Sequence, residues 1–528
     1  MAGVLQEPVT LDTAPSDGAA GSNRWLTLLA VALGVVMVGL DGTVVAIANP
    51  YIGASLHASL PDLQWITNSY LLVLAVLLIV GGRLGDRYGR RRIFLIGVIG
   101  FAAASAGVGL VGSIVGVIVL RGIQGAFGAL LLPNTLALLR VAFPADQLNS
   151  AIGIWSSSSA LAIAGAPIVG GLLVEHVSWQ SVFYLNIPVA LITCIVGIKV
   201  LVESRETVRQ RVDLAGVVVL ATSLFALVFG IVKAQSWGWG DPTILGLLAG
   251  GLVFLVIFVL IELRIDAPLV PPRVFKIRSV SLGVVTVMLS FFALFAVLFF
   301  VSLYMQDVQG VSAVGAGTRT LALTLSFAIT SPFAARVTTR LGIGFAISVG
   351  LGLVAVALFG LAPLEPGSAY LSLFPSLVAL GIGLGLVVVA SAEAIIGNVP
   401  VDDSGMAGGL QATAVQLGGV LGASVLGTVI ASRSASVLPA KLALLGVPPA
   451  TAHRLLGGAG RVSQGLSAGG AGAAPHLRHA IATASHAAFM SGFHVAVIVG
   501  GVVALIGAAT GPFIRQGESV AGIAPIHV

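Results

Sequence analysis

From about residue 25 almost to its end, the chain runs in long apolar stretches broken by short polar or glycine-rich ones. Runs of about 20 apolar residues match the thickness of a bilayer core crossed by an α-helix. Read in windows of roughly 19 residues, the pattern predicts fourteen helices, near 25–48, 62–81, 93–112, 114–139, 148–173, 181–202, 212–234, 243–263, 279–304, 315–338, 343–363, 370–397, 405–432 and 487–512. Two regions fall outside it. Residues 1–24 are polar, carry Glu7, Asp12 and Asp17, and hold no Lys or Arg before Arg24, the reverse of a basic signal-peptide start, so they read as a disordered tail. Residues 433–486, rich in Gly, Ala, Ser and His, read as a solvated loop with one amphipathic helix near 475–486.

Composition places the chain in a membrane. It is 57% hydrophobic and 9% charged, with a mean hydropathy of +1.07, which excludes a set of soluble domains. A net charge of +6 would suggest nucleic acid in a soluble protein, but here the basic residues lie between spans. With the N-terminus inside, the inner loops, tails and helix ends collect 18 of the 26 Lys and Arg, from Arg24 through Arg83 to Arg92 and on to Arg336 and Arg340. The positive-inside rule therefore predicts a multi-pass protein of the cell membrane with both termini cytoplasmic. Cys194, the sole cysteine, lies in an apolar run and excludes an internal disulfide framework. His476, His479 and His486 have no Cys, Asp or Glu to complete a ligand set, so no metal is expected. None of the four lysines follows a glycine, which excludes a P-loop ATPase, and no zincin helix, nucleophile elbow or haem-binding motif is present. The chain reads as a non-enzyme without cofactors.

Charge is concentrated where two predicted helices join. Residues 81–92 read Gly-Gly-Arg-Leu-Gly-Asp-Arg-Tyr-Gly-Arg-Arg-Arg. Gly82, Leu84, Asp86, Arg87, Gly89, Arg90 and Arg91 fill the pattern Gly-x-Leu-x-Asp-Arg-x-Gly-Arg-Arg/Lys, which resembles the signature loop of the major facilitator superfamily of transporters. A weaker echo, Arg336-Val-Thr-Thr-Arg340-Leu-Gly342, follows the tenth span.

Four further stretches resemble motifs of the fourteen-helix drug:proton antiporters in that superfamily. Leu40-Asp41-Gly-Thr43-Val stands in the first span, and an aspartate there costs roughly 2.5–3.5 kcal/mol to insert, so it is rarely idle. Asp41 is a candidate for proton uptake and release; the plainer reading is a hydrogen-bonding group between helices. Arg121-Gly-Ile-Gln124-Gly resembles the Arg-x-x-Gln-Gly motif of the fourth span. A guanidinium keeps its proton and needs an anionic, carbonyl or water partner. Arg121 therefore either governs a nearby carboxylate or fixes helix packing, and Gln124, one turn on, shares that network, as Thr43 does on the first helix. Gly165-Ala-Pro167-Ile-Val-Gly170-Gly171 resembles the fifth-span antiporter motif, with Ala162 and Ala166 in place of two earlier glycines. Its bland reading is close packing of small residues. Trp179 to Pro188 resembles the opening of the sixth helix in these antiporters, with Asn186 present and Gln180 where arginine is usual. Glu393 is a second candidate proton site, Glu262 reads as interfacial, and Asp307 as structural or a gate contact.

The resemblance implies an all-α membrane fold with an N-terminal six-helix bundle (25–202), two inserted transmembrane helices (203–278), a C-terminal six-helix bundle (279–512) and a cytoplasmic tail (513–528). It implies alternating access; the positive N-terminus of the thirteenth helix, at Asp402-Asp403-Ser404, is the expected dock for Asp86, holding the cytoplasmic side closed when the protein faces outward. The expected function is proton-coupled efflux of hydrophobic, chiefly cationic, drugs by a monomer whose partners are the small hydrophobic substrate, protons and the lipid bilayer. The alternatives are a dedicated exporter of one endogenous metabolite or antibiotic, and a non-transporting scaffold or sensor. A scaffold has no need of charges such as Asp41 and Arg121 inside a membrane.

Overall fold

In hydrocarbon each backbone N–H and C=O must find its partner within the spanning segment, so an apolar chain of this kind resolves into helices. The structure, a computed structural model, describes residues 20–205, 213–265, 268, 272–399, 404–469 and 474–515. Its long helices are α1 (Ala20–Leu56), α2 (Leu60–Tyr88), α3 (Arg90–Leu110), α4 (Ile114–Ala142), α5 (Ala145–His176), α6 (Ser181–Val200), α7 (Leu214–Trp237), α8 (Pro242–Glu262), α9 (Arg278–Leu303), α10 (Ala313–Leu341), α11 (Ile343–Leu361), α12 (Tyr370–Ile396), α13 (Ser404–Leu444) and α14 (Pro475–Ala508). Among the described residues thirteen are long and apolar enough to cross a bilayer, and α5 is the remaining long helix, with an apolar stretch at Leu161–His176.

The chain folds as two repeated halves. In the first, α2 packs on α4, α3 on α4, α1 on α5 and α3 on α6; eight helices later α10 packs on α12, α11 on α12, α9 on α13 and α11 on α14. The halves meet through α2 with α13 and α5 with α10, contacts that the same shift interchanges. The repeat holds to the residue. Gly89 (φ +113°) joins α2 to α3 and Gly342 (φ +89°) joins α10 to α11, both in the left-handed region where a Cβ is costly. Gly125, eleven residues past Ile114 at the start of α4, lies against the Tyr70 carbonyl; Gly381, eleven past Tyr370 at the start of α12, lies against that of Leu323.

The inserted pair α7–α8 covers the seam between the halves. Trp65 of α2 packs on Phe225 and Phe229 of α7 at 5.6 and 5.9 Å between ring centroids. On the other half, the Thr428 hydroxyl of α13 donates to the Ile231 carbonyl at 3.1 Å. α8 lies outermost, its Leu252, Val253 and Val256 exposed as a lipid-facing helix requires.

The end of the molecule opposite the 83–92 loop is where the halves are tied together. Pro50 has no N–H, which leaves the Ala46 carbonyl without its helical donor. Ser302 of α9 fills that place from the other half at 2.8 Å, and Gln306 donates to the neighbouring Ile47 carbonyl at 3.3 Å. Between α2 and α13, Gln64 donates to the Ala423 carbonyl and Asn68 to the Ser424 hydroxyl, each at 2.8 Å.

Residues 433–486 differ from the expected solvated loop. α13 runs on to Leu444, short helices follow at Pro449–Leu455 and Ala459–Val462, and α14 begins at Pro475. Leu438, Leu442, Val447, Leu455, Val462, Ala468, Ile481, Ala484 and Ala488 form a small buried core there. Each apolar stripe is too short to register as a span, yet together they bury a cluster. This cap rests on the first half: Gln464 donates to the Ala58 carbonyl at 3.2 Å, and His57 before it ends α1 at a φ of +51°.

Candidate functional site

The charged residues singled out in the first and fourth helices meet. Arg121 of α4 forms a buried ion pair with Asp41 of α1, their side chains 1% and 0% exposed. Its guanidinium also donates to the Gln124 side-chain oxygen at 2.7 Å and to the Ile66 carbonyl of α2 at 3.2 Å. The Tyr70 ring lies beneath it at 4.2 Å and the Phe183 ring at 5.8 Å. Asp41 accepts in addition from the Gln124 amide at 2.8 Å and the Asn186 amide of α6 at 3.2 Å. Both amides also donate to the Ser105 hydroxyl of α3, at 3.0 and 2.8 Å. Asp41 is thus held from α4 and α6 and braced through α3. Spacing explains the α4 part: Arg121 and Gln124 are three residues apart and share one helix face.

The network is electrically neutral and nearly closed to solvent, the condition under which removing one member costs about 3–5 kcal/mol. Among the described residues the second half has no counterpart to it. Positions seven and ten past the start of α4 hold Arg121 and Gln124; those past the start of α12 hold Leu377 and Leu380, each 1% exposed. Fifteen residues into α3 stands Ser105, and fifteen into α11 stands Leu358, 1% exposed. One half has a polar core at this level and the other an apolar one.

Other candidates lie elsewhere. The Thr43 hydroxyl donates back along α1 to the Gly39 and Leu40 carbonyls, outside the network. Glu393 stands half-buried in the last turn of α12, in the other half. Ser105 and Tyr70 were not legible as site residues; the only signal was a small hydroxyl in the apolar run of α3 and a tyrosine within α2.

The signature loop is organised around its glycines. Asn134 of α4 fills the space beside Gly85 and donates to the Gly81 carbonyl at 3.2 Å, while Gly82 touches Pro133. Asp86 pairs with Arg90 at 2.8 Å, and the Arg87 guanidinium lies 5.1 Å over the Tyr88 ring. Arg91 donates to the Ile198 carbonyl at 2.6 Å and, through its backbone N–H, to Glu203 at 3.1 Å. Gly89 is seated against the Glu203 carboxylate. The loop is thereby fastened to the end of α6. Asp402 and Asp403, the expected dock for Asp86, lie outside the described residues. Arg83 donates to the Pro268 carbonyl at 2.6 Å and faces Glu262 and Asp213 of the inserted pair, both buried.

The glycines of α5 divide by role. Gly165 faces open space; Gly170 lies against Val44 of α1, and Gly171 against the backbone of Ala313 and Val314 of α10. Gly317 of α10 returns the contact against the Pro167 carbonyl. α5 and α10, one from each half, touch backbone to backbone.

These features agree with what the chain resembles. The family model described as Major Facilitator Superfamily matches residues 31–423. The chain is 44% identical over 517 residues to a tetracenomycin C resistance and export protein of Streptomyces glaucescens, covering 97% of this chain and 95% of that one. It is 31% identical to a multidrug efflux pump of Mycolicibacterium smegmatis, covering 94% and 98%. Among solved structures it matches a bacterial homolog of the human lysosomal transporter Spinster with a TM-score of 0.60 at 17% identity, covering 94% and 99%. With the repeated halves, the glycine-built loop and a family match over most of its length, the chain belongs to the major facilitator superfamily.

Proposed function

We propose that the protein exports hydrophobic compounds, cationic drugs among them, from the cell in exchange for protons, its two halves rocking about a central path. The observation that carries the reading is the Asp41–Arg121 network, a charge pair sealed in the membrane core of one half with leucines at the matching places of the other. Charges at that depth are retained for transport or proton relay. In this scheme Asp41 exchanges Arg121 for a proton, Gln124 and Asn186 hold the carboxyl in place, and the loop at 82–91 gates the cytoplasmic side. The distribution of Lys and Arg supports cytoplasmic termini, which makes the end near Pro50 and Ser302 extracytoplasmic and closed. One proton moving through 100 mV supplies about 2.3 kcal/mol, and each tenfold proton ratio about 1.4 kcal/mol more.

A second reading, a dedicated exporter of one antibiotic, is favoured by the 44% identity to a relative named for a single compound. One assay addresses both: proton-driven uptake into inside-out vesicles of ethidium and of tetracenomycin C. Uptake of both supports multidrug efflux, and uptake of tetracenomycin C alone supports the dedicated exporter. Uptake of neither, across a wider panel as well, would defeat the proposal.

A further inference from the structure

The contact between α5 and α10 extends beyond their glycines. Gly171 brings the start of α10 against α5, and Glu175 lies four residues on, one turn further along the same face. From there its carboxylate accepts a hydrogen bond from the Val314 N–H at 3.0 Å. Val314 belongs to the first turn of α10, whose N–H groups have no partners within the helix and carry its positive pole. Just before α10, the cap residue Ser312 satisfies one of them by accepting from the Gly315 N–H at 3.1 Å. Another is satisfied from the opposite half of the molecule. The groups facing Glu175 are His176 beside it, the Ser312 hydroxyl, and Tyr51 of α1, which also faces the Ala313 amide and Asp307.

We infer that Glu175 is a clasp across the two halves, a carboxylate from one docked on a helix N-terminus of the other, which holds the end opposite the signature loop closed. The inference rests on the alternating-access reading above. Opening that end requires α5 to leave α10, and the Val314 N–H then exchanges a charged acceptor for water. An exposed carboxylate at a helix N-terminus contributes modestly, so the clasp sets the balance between closed and open forms without locking it. Its loss corresponds to about a two- to fivefold rise in the open-to-closed ratio.

The test reads distance rather than transport. Spin labels at Val177→Cys and Gly367→Cys, on a Cys194→Ser background, report the separation of the halves at this end in full-length protein in nanodiscs. Glu175→Ala is expected to enlarge the long-distance population about two- to fivefold, with Glu175→Gln, which keeps an acceptor but not the charge, in between. Salt at 1 M is expected to move the native protein toward Glu175→Ala and leave that variant unchanged. Identical distributions in native, Gln and Ala proteins, or the same salt response in all three, would overturn the clasp. A chain that moved no drug would still report it, so failure of the transport reading and failure of the clasp are separate results.

Discussion

The Arg121 guanidinium on α4 and the Asp41 carboxylate on α1 are bonded to each other across 80 residues of sequence, and each is almost wholly withdrawn from solvent. Asp41→Asn keeps the shape and most hydrogen bonds but cannot carry a charge or exchange a proton. Proton-driven uptake of substrate in inside-out vesicles is expected to fall at least tenfold while the protein remains folded. Arg121→Leu leaves a buried carboxylate without its cation and is expected to lose about 3–5 kcal/mol of stability, read as a lowered unfolding midpoint in detergent. Uptake by Asp41→Asn at the native rate would move the coupling role to another residue.

The glycines of α5 separate packing from mere smallness. Nothing lies within 4 Å of a Cβ placed on Gly165, whereas one on Gly171 would overlap the Ala313 carbonyl. Gly165→Ala is expected to transport as the native protein does. Gly171→Ala forces α5 and α10 apart, at about the 1–3 kcal/mol of other overpacked contacts, and should cut the transport rate and populate the form open at that end. Equal activity of the two variants would contradict this account.

At the turn into α3, Gly89 has a φ of +113° and faces the Glu203 carboxylate. Gly89→Ala is expected to cost roughly 1–2 kcal/mol for the left-handed backbone, and more for displacing Glu203. Gly342, with a φ of +89°, has open space around it, so Gly342→Ala should bear the backbone cost alone. Thermal unfolding of both variants in one detergent gives the ordering directly.

Arg83 faces Glu262 and Asp213, which are 3% and 8% exposed. Arg83→Met is expected to destabilise the protein by about 1–3 kcal/mol, the usual cost of stripping a partner from buried polar groups. Adding Glu262→Gln to the same chain should recover part of that loss, since one buried charge then disappears. A double variant no more stable than the single one would show that the inserted helices are not anchored through this cluster.

Much of this was readable in the chain. Apolar run length alone places the helices, because in a bilayer the backbone has no other solution. Asp41 and Arg121 stand out because charge in hydrocarbon is costly wherever it points. Glycine in the 81–92 loop announces a tight joint between helices. The cap between α13 and α14 was not legible, because its core is assembled from stripes of four separate segments, none apolar enough by itself.

Sequence by itself therefore determined that the chain crosses a membrane many times, where most spans lie, and which residues carry an insertion cost. Those are local properties, set by each residue and its near neighbours along one helix. Only the tertiary structure decided that Asn186, 145 residues from Asp41, completes its hydrogen bonds. It also decided that Thr43 turns back onto its own helix, and that Leu377 and Leu380 occupy the places of Arg121 and Gln124 in the second half. The same holds for Glu175 reaching Val314. Which faces meet depends on how small residues let helices approach and rotate against one another, a property of the packed bundle that no spacing along a single helix contains.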